Sequence, residues 1–152
     1  MSELDRHAAE VGKRAADRGV TVGVAESLTG GTVAAALAAA EGASTWFRGG
    51  IVAYSSEVKH SLLDVPEGPV VSEPAARAMA VAARRLLGAD LVVALTGAGG
   101  PAPQDGREPG TVFVAVDGAA GTEVLRLDLD GEPEEICRAA AAAGLDLLAA
   151  RL

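Results

Sequence analysis

The sequence of 152 residues has little of several residue types, and each shortage excludes a class of protein. It has one cysteine, so no internal disulfide can form. It has only two histidines and its acids are dispersed, so metal binding is poorly supported. Aromatic residues make up only 3%. The core must therefore be built from Val, Leu, Ile and Ala, as in sheets that helices cover on both faces.

Basic residues are also in the minority. There are 13 Lys and Arg against 21 Asp and Glu, which gives a formal net charge of −8. Such a surface does not attract nucleic acid or an anionic membrane, so we expect neither as a partner. A small anionic ligand stays compatible with this charge, because helix N-termini bind phosphate locally. The sequence shows no signal peptide and no long apolar span, so we expect a cytoplasmic location.

Hydrophobic residues make up 49% of the chain, and their spacing predicts the element order α-β-α-β-α-α-β-β-β-α. We expect helices over 2–18, 32–40, 55–63, 72–88 and 133–150, and strands over 20–25, 47–54, 89–95, 111–116 and 123–129. The pair Gly49-Gly50 suggests a bulge or a close backbone approach. Alternating elements with a late hairpin favour an α/β fold, a three-layer α/β/α sandwich with a mixed, mostly parallel sheet. No repeat, linker or boundary is visible, so we expect a single domain over 1–152.

The first candidate for chemistry lies where the first predicted strand turns into a helix, in "AESLTGG" at 25–31. Here Ser27 would lie beside the free backbone N–H groups of the helix start. Those groups could stabilise an oxyanion or hold a phosphate. The alternative is that Ser27 or Thr29 simply caps the helix, which is the commoner role of such residues.

The second candidate is the pair Tyr54 and Lys59 in "YSSEVK". A lysine can act as the base for a serine only if burial lowers its pKa toward neutrality. A tyrosine at a strand end and a lysine one helical turn later could bring a phenol and an amine to one spot. The alternative is a solvated surface lysine. His60 is a competing base, but adjacent residues on a helix point in different directions, so at most one of the two faces the site.

The third candidate is "TGAGGP", which opens a predicted loop over 96–110 that is rich in Gly and Pro. It resembles a phosphate-cradling loop in composition. It lacks the Lys-Ser/Thr ending of a Walker loop and the GxGxxG spacing, so a plain turn is the alternative. Elsewhere, we expect Cys137 and Trp46 to belong to the core.

Together and in this order, these segments resemble one family, the C-terminal domain of competence/damage-inducible protein CinA, which includes the stand-alone nicotinamide-nucleotide amidases. The matching blocks are "AESLTGG" at 25–31, "WFRGGIVAYSSEVKHSLLDV" at 46–65, "VSEPAARAMA" at 71–80, "LTGAGGP" at 95–101 and "PGTVFVAV" at 109–116. They span nearly the whole chain. The family's N-terminal nucleotide-processing domain has no counterpart here, so the resemblance implies the free-standing amidase type.

The resemblance implies hydrolysis of the carboxamide of nicotinamide mononucleotide to nicotinic acid mononucleotide and ammonia. It assigns Ser27 as the nucleophile with Lys59 and Tyr54 as its helpers, and it requires no metal or organic cofactor. The expected substrate-binding residues are Glu26, Thr29, Gly30, Gly31, Gly49, Ser72, Thr96, Gly97, Gly100 and Pro101. Among these, the 96–101 loop would cradle the ribose phosphate, with Ser72 as a helper. A small α/β domain of this kind is also expected to form a homo-oligomer, a dimer or larger.

The sequence departs from the family pattern in two places. Many relatives have Cys where this chain has Leu28, which should matter little beside a serine nucleophile. Relatives also usually carry Gly-Asp-Arg at the start of the last helix, with another Arg one turn later, whereas this chain reads "GEPEEICR" at 131–138. Pro133 and Cys137 thus stand where arginines are usual, which removes an anion clamp if the first arginine contacts phosphate.

Arg138 or Arg107 could compensate for the missing arginines. Two alternative functions therefore stay open. One is a catalytically weak or inactive relative that binds a nucleotide or a protein partner, and the other is an amidase of another small amide.

Overall fold

The computed structural model describes residues 1–152 and contains six helices and five strands. The helices are α1 (Glu3–Arg18), α2 (Thr32–Ala39), α3 (Ala43–Trp46), α4 (Ser56–Leu62), α5 (Glu73–Leu87) and α6 (Pro133–Ala150). The strands are β1 (Val22–Glu26), β2 (Phe47–Val52), β3 (Leu91–Gly97), β4 (Thr111–Gly118) and β5 (Gly121–Asp128). The predicted order is confirmed, with the short α3 added where the sequence predicted only a turn.

The five strands form one sheet in the order β2-β1-β3-β4-β5. β1 pairs in parallel with β2 and β3, whereas β3 with β4 and β4 with β5 are antiparallel. The mixed sheet is confirmed, and only β4 runs against the common direction. Opposite Val22 and Gly23, the register of β2 moves from Phe47 to Gly49, so Arg48 is an extra residue in β2. The bulge suggested by Gly49-Gly50 is therefore confirmed.

Helices cover both faces of the sheet, which confirms the three-layer sandwich. On one face, α1, α2 and α6 pack on alternate residues of β1, β3 and β4. On the other face, α5 and the segment 63–71 cover the intervening residues. Trp46 is 2% exposed and belongs to the first of these clusters, as predicted. None of the helices combines the length and the hydropathy that are needed to cross a membrane.

Capping groups fix most helix ends where the sequence predicted them. Ser72 accepts a hydrogen bond from the Ala75 N–H at the start of α5. Gly19 and Gly88 end α1 and α5 in the left-handed conformation, with φ of 65° and 62°. This backbone conformation is one that glycine adopts at little cost, which explains why both helices stop there.

The carboxyl ends of β1, β2 and β3 lie at one edge of the sheet because these three strands run in the same direction. The segments 27–31, 53–55 and 98–110 leave the sheet at this edge, which is where α/β proteins usually bind ligands. The predicted loop began at Thr96, but Thr96 and Gly97 pair with β4 and end β3 instead. Hydrogen bonding to β4 keeps these two residues in the strand, although the glycine content of the segment favours a loop.

Candidate functional site

Ser27 lies directly after β1 at the carboxyl edge of the sheet. The residue is only 4% exposed, yet it lines a cavity of about 550 Å³. Its carbonyl accepts a hydrogen bond from the Gly30 N–H at 3.0 Å, which closes the turn that follows. Its hydroxyl makes no hydrogen bond within the chain. The Ser27 hydroxyl therefore lines the cavity without a structural partner in the chain.

The residue before it, Glu26, caps α2. The Glu26 side chain is fully buried, and its Oε1 accepts hydrogen bonds from the N–H groups of Gly31 at 3.2 Å and Val33 at 3.0 Å. Its Oε2 accepts from the Ala34 N–H at 2.8 Å. Gly31 occupies the N-cap position and makes no side-chain hydrogen bond, so the capping oxygens come from Glu26. The prediction that Ser27 or Thr29 caps this helix is wrong, because a longer acid reaches the same amides from the strand end.

This cap also overturns the expected source of oxyanion donors. The N–H groups of Gly30 and Thr32 donate to carbonyls within the turn. Those of Gly31, Val33 and Ala34 donate to Glu26. The start of α2 therefore has no amide left for a ligand. The N–H groups that donate to nothing in the chain belong instead to Leu28 in the turn and to Gly99 in the 98–110 loop, among others.

Those two amides lie on segments that face each other. A Cβ atom built on Gly99 would lie 3.7 Å from the Cβ of Leu28. Both residues line the cavity beside Ser27. The backbone of the turn and the backbone of the loop can thus approach one bound group from two sides.

Lys59 is 1% exposed, so the burial that a lysine base requires is present and the solvated alternative is wrong. Its Nζ donates to the carbonyl oxygen of Tyr54 at 3.3 Å. Burial lowers the pKa of Lys59, while the nearby Asp105 carboxylate acts in the opposite direction. His60 lies elsewhere, with its Nδ1 at 2.9 Å from the Val65 carbonyl oxygen. The lysine is therefore the basic group that the fold buries near the carboxyl edge.

Tyr54 is placed differently from the expectation. Its side chain is 72% exposed and its phenol makes no hydrogen bond, although the residue lines the cavity. The amine of Lys59 meets the main-chain carbonyl of Tyr54 rather than its phenol, because the ring projects outward past the end of β2. The ring thus forms part of the cavity rim.

Fourteen residues line this cavity, and none of them has a charged side chain. Gly97, Gly100 and Pro101 are among them, so three of the predicted binding residues lie where a ligand could contact them. A Cβ atom on Gly100 would lie 3.1 Å from Pro109 and 3.9 Å from Pro133. The loop and the start of α6 are thus close neighbours across this cavity.

Four predicted binding residues in or next to the turn do not line this cavity. Glu26 is committed to its cap, and Gly30 and Gly31 supply the positive φ values, 60° and 110°, that the turn needs. The structure gives these residues a role in shaping the turn that carries Ser27. Thr29 lines a neighbouring cavity.

Three further predicted residues lie away from the cavity. Gly49 pairs with Gly23 in the first half of β2 and is packed by Leu87, so it belongs to the bulge. Ser72 both caps α5 and donates to the Pro69 carbonyl at 3.2 Å. Thr96 is fully buried and donates to the Val70 carbonyl at 2.6 Å. Their polar groups are used to hold the fold together.

Asp105 has a role that the sequence did not reveal. Its carboxylate accepts hydrogen bonds from the N–H groups of Val70 at 2.8 Å and Val71 at 3.0 Å, and this anchors the 98–110 loop. The same carboxylate acts on Lys59. The only sequence signal was an Asp-Gly pair in the loop, which is typical of any turn.

Cys137 was predicted to be a core residue, and this is wrong. It is half-buried, lines the cavity, and donates from Sγ to the Leu28 carbonyl at 3.1 Å. Burial raises the pKa of its thiol. Pro133 lines the same cavity. The departures from the family pattern at these two positions were the signal that they matter for the site.

The family model described as the CinA C-terminal domain matches residues 4–152. The chain belongs to the CinA C-terminal domain family. A CinA-like protein from Frankia casuarinae is 43% identical over 136 residues, which cover 86% of this chain and 31% of that protein. A CinA-like protein from Geotalea uraniireducens is 40% identical over 142 residues, which cover 90% of this chain and 34% of that protein. The chain thus spans about a third of the length of these curated relatives.

Solved structures of the family match almost the whole chain. The competence damage-inducible protein A from Klebsiella pneumoniae has a TM-score of 0.93 at 32% identity, covering 97% of this chain and 96% of that one. The competence/damage inducible protein CihA from Agrobacterium tumefaciens has a TM-score of 0.92 at 28% identity, covering 99% and 96%. The family and the α/β fold that the sequence predicted are both confirmed by these matches.

Proposed function

We propose that this chain is a nicotinamide-nucleotide amidase that hydrolyses the carboxamide of nicotinamide mononucleotide to nicotinic acid mononucleotide and ammonia. The observation that carries the proposal is the hydroxyl of Ser27, which lines a cavity at the carboxyl edge and is bound to nothing else in the chain. A buried lysine with a lowered pKa lies at the same edge. A serine and a basic amine are the groups that an amidase of this type needs.

In the proposed reaction, the Ser27 oxygen attacks the carboxamide carbon and its proton passes to the neutral amine of Lys59, directly or through the Tyr54 hydroxyl. The C–N bond then breaks, and the protonated Lys59 returns the proton to the departing nitrogen, which leaves as ammonia. Water cleaves the resulting ester and releases the carboxylic acid. The lowered pKa favours this role, since only the unprotonated amine can accept the proton.

The oxyanion of the tetrahedral intermediate needs hydrogen-bond donors. Since Glu26 occupies the amides at the start of α2, we assign this role to the free N–H groups of Leu28 and Gly99. The amide of the residue after a nucleophilic serine serves in the same way in other hydrolases. Each such donor is typically worth about 3 kcal/mol of barrier lowering.

The exposed ring of Tyr54 can also contact the substrate, because the nicotinamide ring of the nucleotide is a cationic pyridinium. Cations are attracted to the face of a tyrosine ring. Tyr54→Phe separates the two roles. It should keep most of the rate if the ring only stacks, and lose most of it if the hydroxyl passes the proton.

The first test is ammonia release by the purified protein from nicotinamide mononucleotide. We expect Ser27→Ala to abolish turnover with an unchanged fold, because the lost hydroxyl makes no hydrogen bond. The matched control is Ser44→Ala, an exposed serine in α3, which should keep the wild-type rate. A near-normal rate in Ser27→Ala would remove Ser27 as the nucleophile.

Lys59→Met tests the base. It keeps the length of the side chain and removes the amine, so most of the rate should be lost. In the wild type, the rate should rise with pH through the lowered pKa of Lys59. If Lys59→Met keeps its rate and shifts only the pH optimum, the role of base belongs to His60 or to a base that acts through water.

A second function is favoured by one observation. Pro133 and Cys137 line the cavity where the family pattern usually has arginines. A relative with a degenerate site would bind the nucleotide without hydrolysing it. Thermal stabilisation by nicotinamide mononucleotide without ammonia release would support this alternative, because a ligand that binds only the folded state stabilises it.

A further inference from the structure

A second cavity of about 400 Å³ lies next to the one beside Ser27. Pro133 and Cys137 line both cavities, so their side chains form the partition between them. The contact from the Cys137 Sγ to the Leu28 carbonyl closes this partition against the turn. A ligand of nucleotide size that reaches over the partition would occupy both cavities.

The two cavities differ in the charged side chains that line them. The cavity beside Ser27 has no charged side chain in its lining, and it therefore offers no counterion to a phosphate. The polar lining of the second cavity consists of Thr29, Thr32, one cation, Arg138, and one anion, Glu134. Burial of an anion without a cation or hydrogen-bond donors is costly, so a phosphate favours the second cavity.

Thr29 and Arg138, two of the polar groups that line the second cavity, have no side-chain partner in the chain. The Oγ1 of Thr29 is buried and makes no hydrogen bond, although the residue is only 4% exposed. Buried hydroxyls are nearly always hydrogen-bonded, so this one calls for a ligand or a water molecule. Arg138 forms no ion pair and no hydrogen bond either. The other candidate cation, Arg107, lies over the Phe113 ring at 5.4 Å and lines neither cavity.

We propose that the second cavity holds the phosphate monoester end of a substrate whose carboxamide lies at Ser27, with Arg138 as the specificity-determining cation and the Thr29 hydroxyl as a donor. This inference rests on the proposed function. It places the phosphate across the Pro133–Cys137 partition, rather than in the 96–101 loop where the sequence suggested it.

Glu134 lines the same cavity and opposes the binding of an anion. It lies one helical turn before Arg138, but no ion pair joins the two side chains. Arg138→Gln and Glu134→Gln therefore change the charge of the cavity by one unit in opposite directions. They form a pair of variants with opposite expected effects.

The experiment compares nicotinamide mononucleotide with nicotinamide riboside, which has the same carboxamide and no phosphate. The measured quantity is the ratio of kcat/KM for the nucleotide to that for the riboside. Arg138→Gln should lower this ratio about tenfold, which is the usual size of one charge-assisted contact near the surface. Glu134→Gln should raise the ratio, and Thr29→Val should lower it.

The control is Arg85→Gln. Arg85 is an exposed arginine on α5 that pairs with Asp64 at 3.1 Å, in the layer on the other face of the sheet. This variant should leave the ratio unchanged. A ratio in Arg138→Gln within about twofold of the wild type, which is below the energy of a typical charged contact, would overturn the proposal and favour the loop.

Binding to Ser27→Ala, measured by calorimetry, separates the failure of this proposal from that of the amidase. If neither compound is hydrolysed but Arg138→Gln in this background weakens binding of the nucleotide more than that of the riboside, the amidase fails and the phosphate site stands. If hydrolysis occurs but Arg138→Gln affects the nucleotide and the riboside equally, the phosphate site is wrong and the amidase proposal stands. No binding and no hydrolysis of the nucleotide would overturn both.

Discussion

Lys59 is the residue in which stability and chemistry conflict most. An ammonium group that is 1% exposed has lost most of its hydration, and the structure gives it one carbonyl partner in exchange. The opposing charge of Asp105 is too distant to form an ion pair, so it compensates only in part. This cost is what lowers the pKa, as the proposed role of the amine as a base requires.

Lys59→Met should therefore stabilise the fold at pH 7, by on the order of 1 kcal/mol. The sign follows from the pKa of Lys59, which is lower in the folded state than in the unfolded state. Between these two pKa values the unfolded state binds more protons, so the wild type gains stability as the pH rises. The difference in free energy of unfolding between Lys59→Met and the wild type should therefore become smaller as the pH increases. Urea unfolding of both proteins from pH 7 to 10 measures it, and a constant difference would contradict the prediction.

Cys137 is the other residue whose environment sets its reactivity. Its raised pKa keeps it a thiol at neutral pH, so it does not compete with the proposed nucleophile, Ser27. We expect iodoacetamide to react with it slowly at pH 7 and faster as the pH rises above the ordinary thiol range. The label should block turnover because this side chain lines both cavities.

The chain has one cysteine, so mass spectrometry of the whole protein reports this reaction without ambiguity. Cys137→Ala is the control, and its activity should be insensitive to the reagent. Complete modification within minutes at pH 7 would show that the thiol is neither buried nor protected.

At the scale of elements, the Glu26 carboxylate joins the end of β1 to the first turn of α2. One side chain satisfies three backbone N–H groups that would otherwise be buried without acceptors. Ser27 is the next residue, so the same contact holds the proposed nucleophile in place. A strand, a turn and a helix thus behave as one unit.

Glu26→Ala should cost about 3 kcal/mol of folding free energy or more, because buried N–H groups lose their acceptors. Glu26→Gln should cost less, since its carbonyl oxygen can still accept two of the three hydrogen bonds. The free energies of unfolding in urea test this order. Equal and small losses in the two variants would show that the cap is not what holds α2.

The ends of α1 and α5 could be predicted from the sequence because their caps are local. Gly19, Ser72 and Gly88 act within four residues of the backbone groups that they serve. The Glu26 cap could not be predicted in this way, since it reaches Ala34, eight residues later, across a turn.

The same distinction between local and distant contacts explains which residues of the candidate site could be predicted. Ser27 and Lys59 were recognised by their blocks of sequence. The positions of Cys137 and Asp105 depend on contacts with Leu28 and Val70, from which they are separated by 109 and 35 residues. No local pattern encodes such contacts, and only the fold brings these groups together.

At the scale of the whole molecule, two apolar clusters share one sheet. Alternate residues of β3 belong to opposite clusters, with Val93 in one and Val92 in the other. The three layers followed from the alternation of helices and strands in the sequence. The order of the strands did not, because it depends on pairings between distant segments.

This arrangement predicts a single cooperative unfolding transition. Trp46 is the only tryptophan, and it reports on the layer that contains α1. Its fluorescence and the far-UV circular dichroism should change at the same urea concentration, as in two-state domains. A fluorescence change at lower urea would show that this layer separates before the sheet unfolds.

Gly12→Ala tests the contact between α1 and Trp46. The added methyl group would lie 2.6 Å from the Trp46 ring, so one of the two must move. We expect both signals to shift to lower urea together.

The first turns of α6 carry Pro133, Cys137 and Arg138, whereas the serine and the lysine belong to other elements. Under the proposed function, substrate recognition and bond cleavage are thus encoded in separate stretches of the gene. On this proposal, substitutions within 133–138 change what the cavities accept and leave Ser27 and Lys59 unchanged. A lineage could then exchange one amide substrate for another in small steps that each keep the proposed nucleophile.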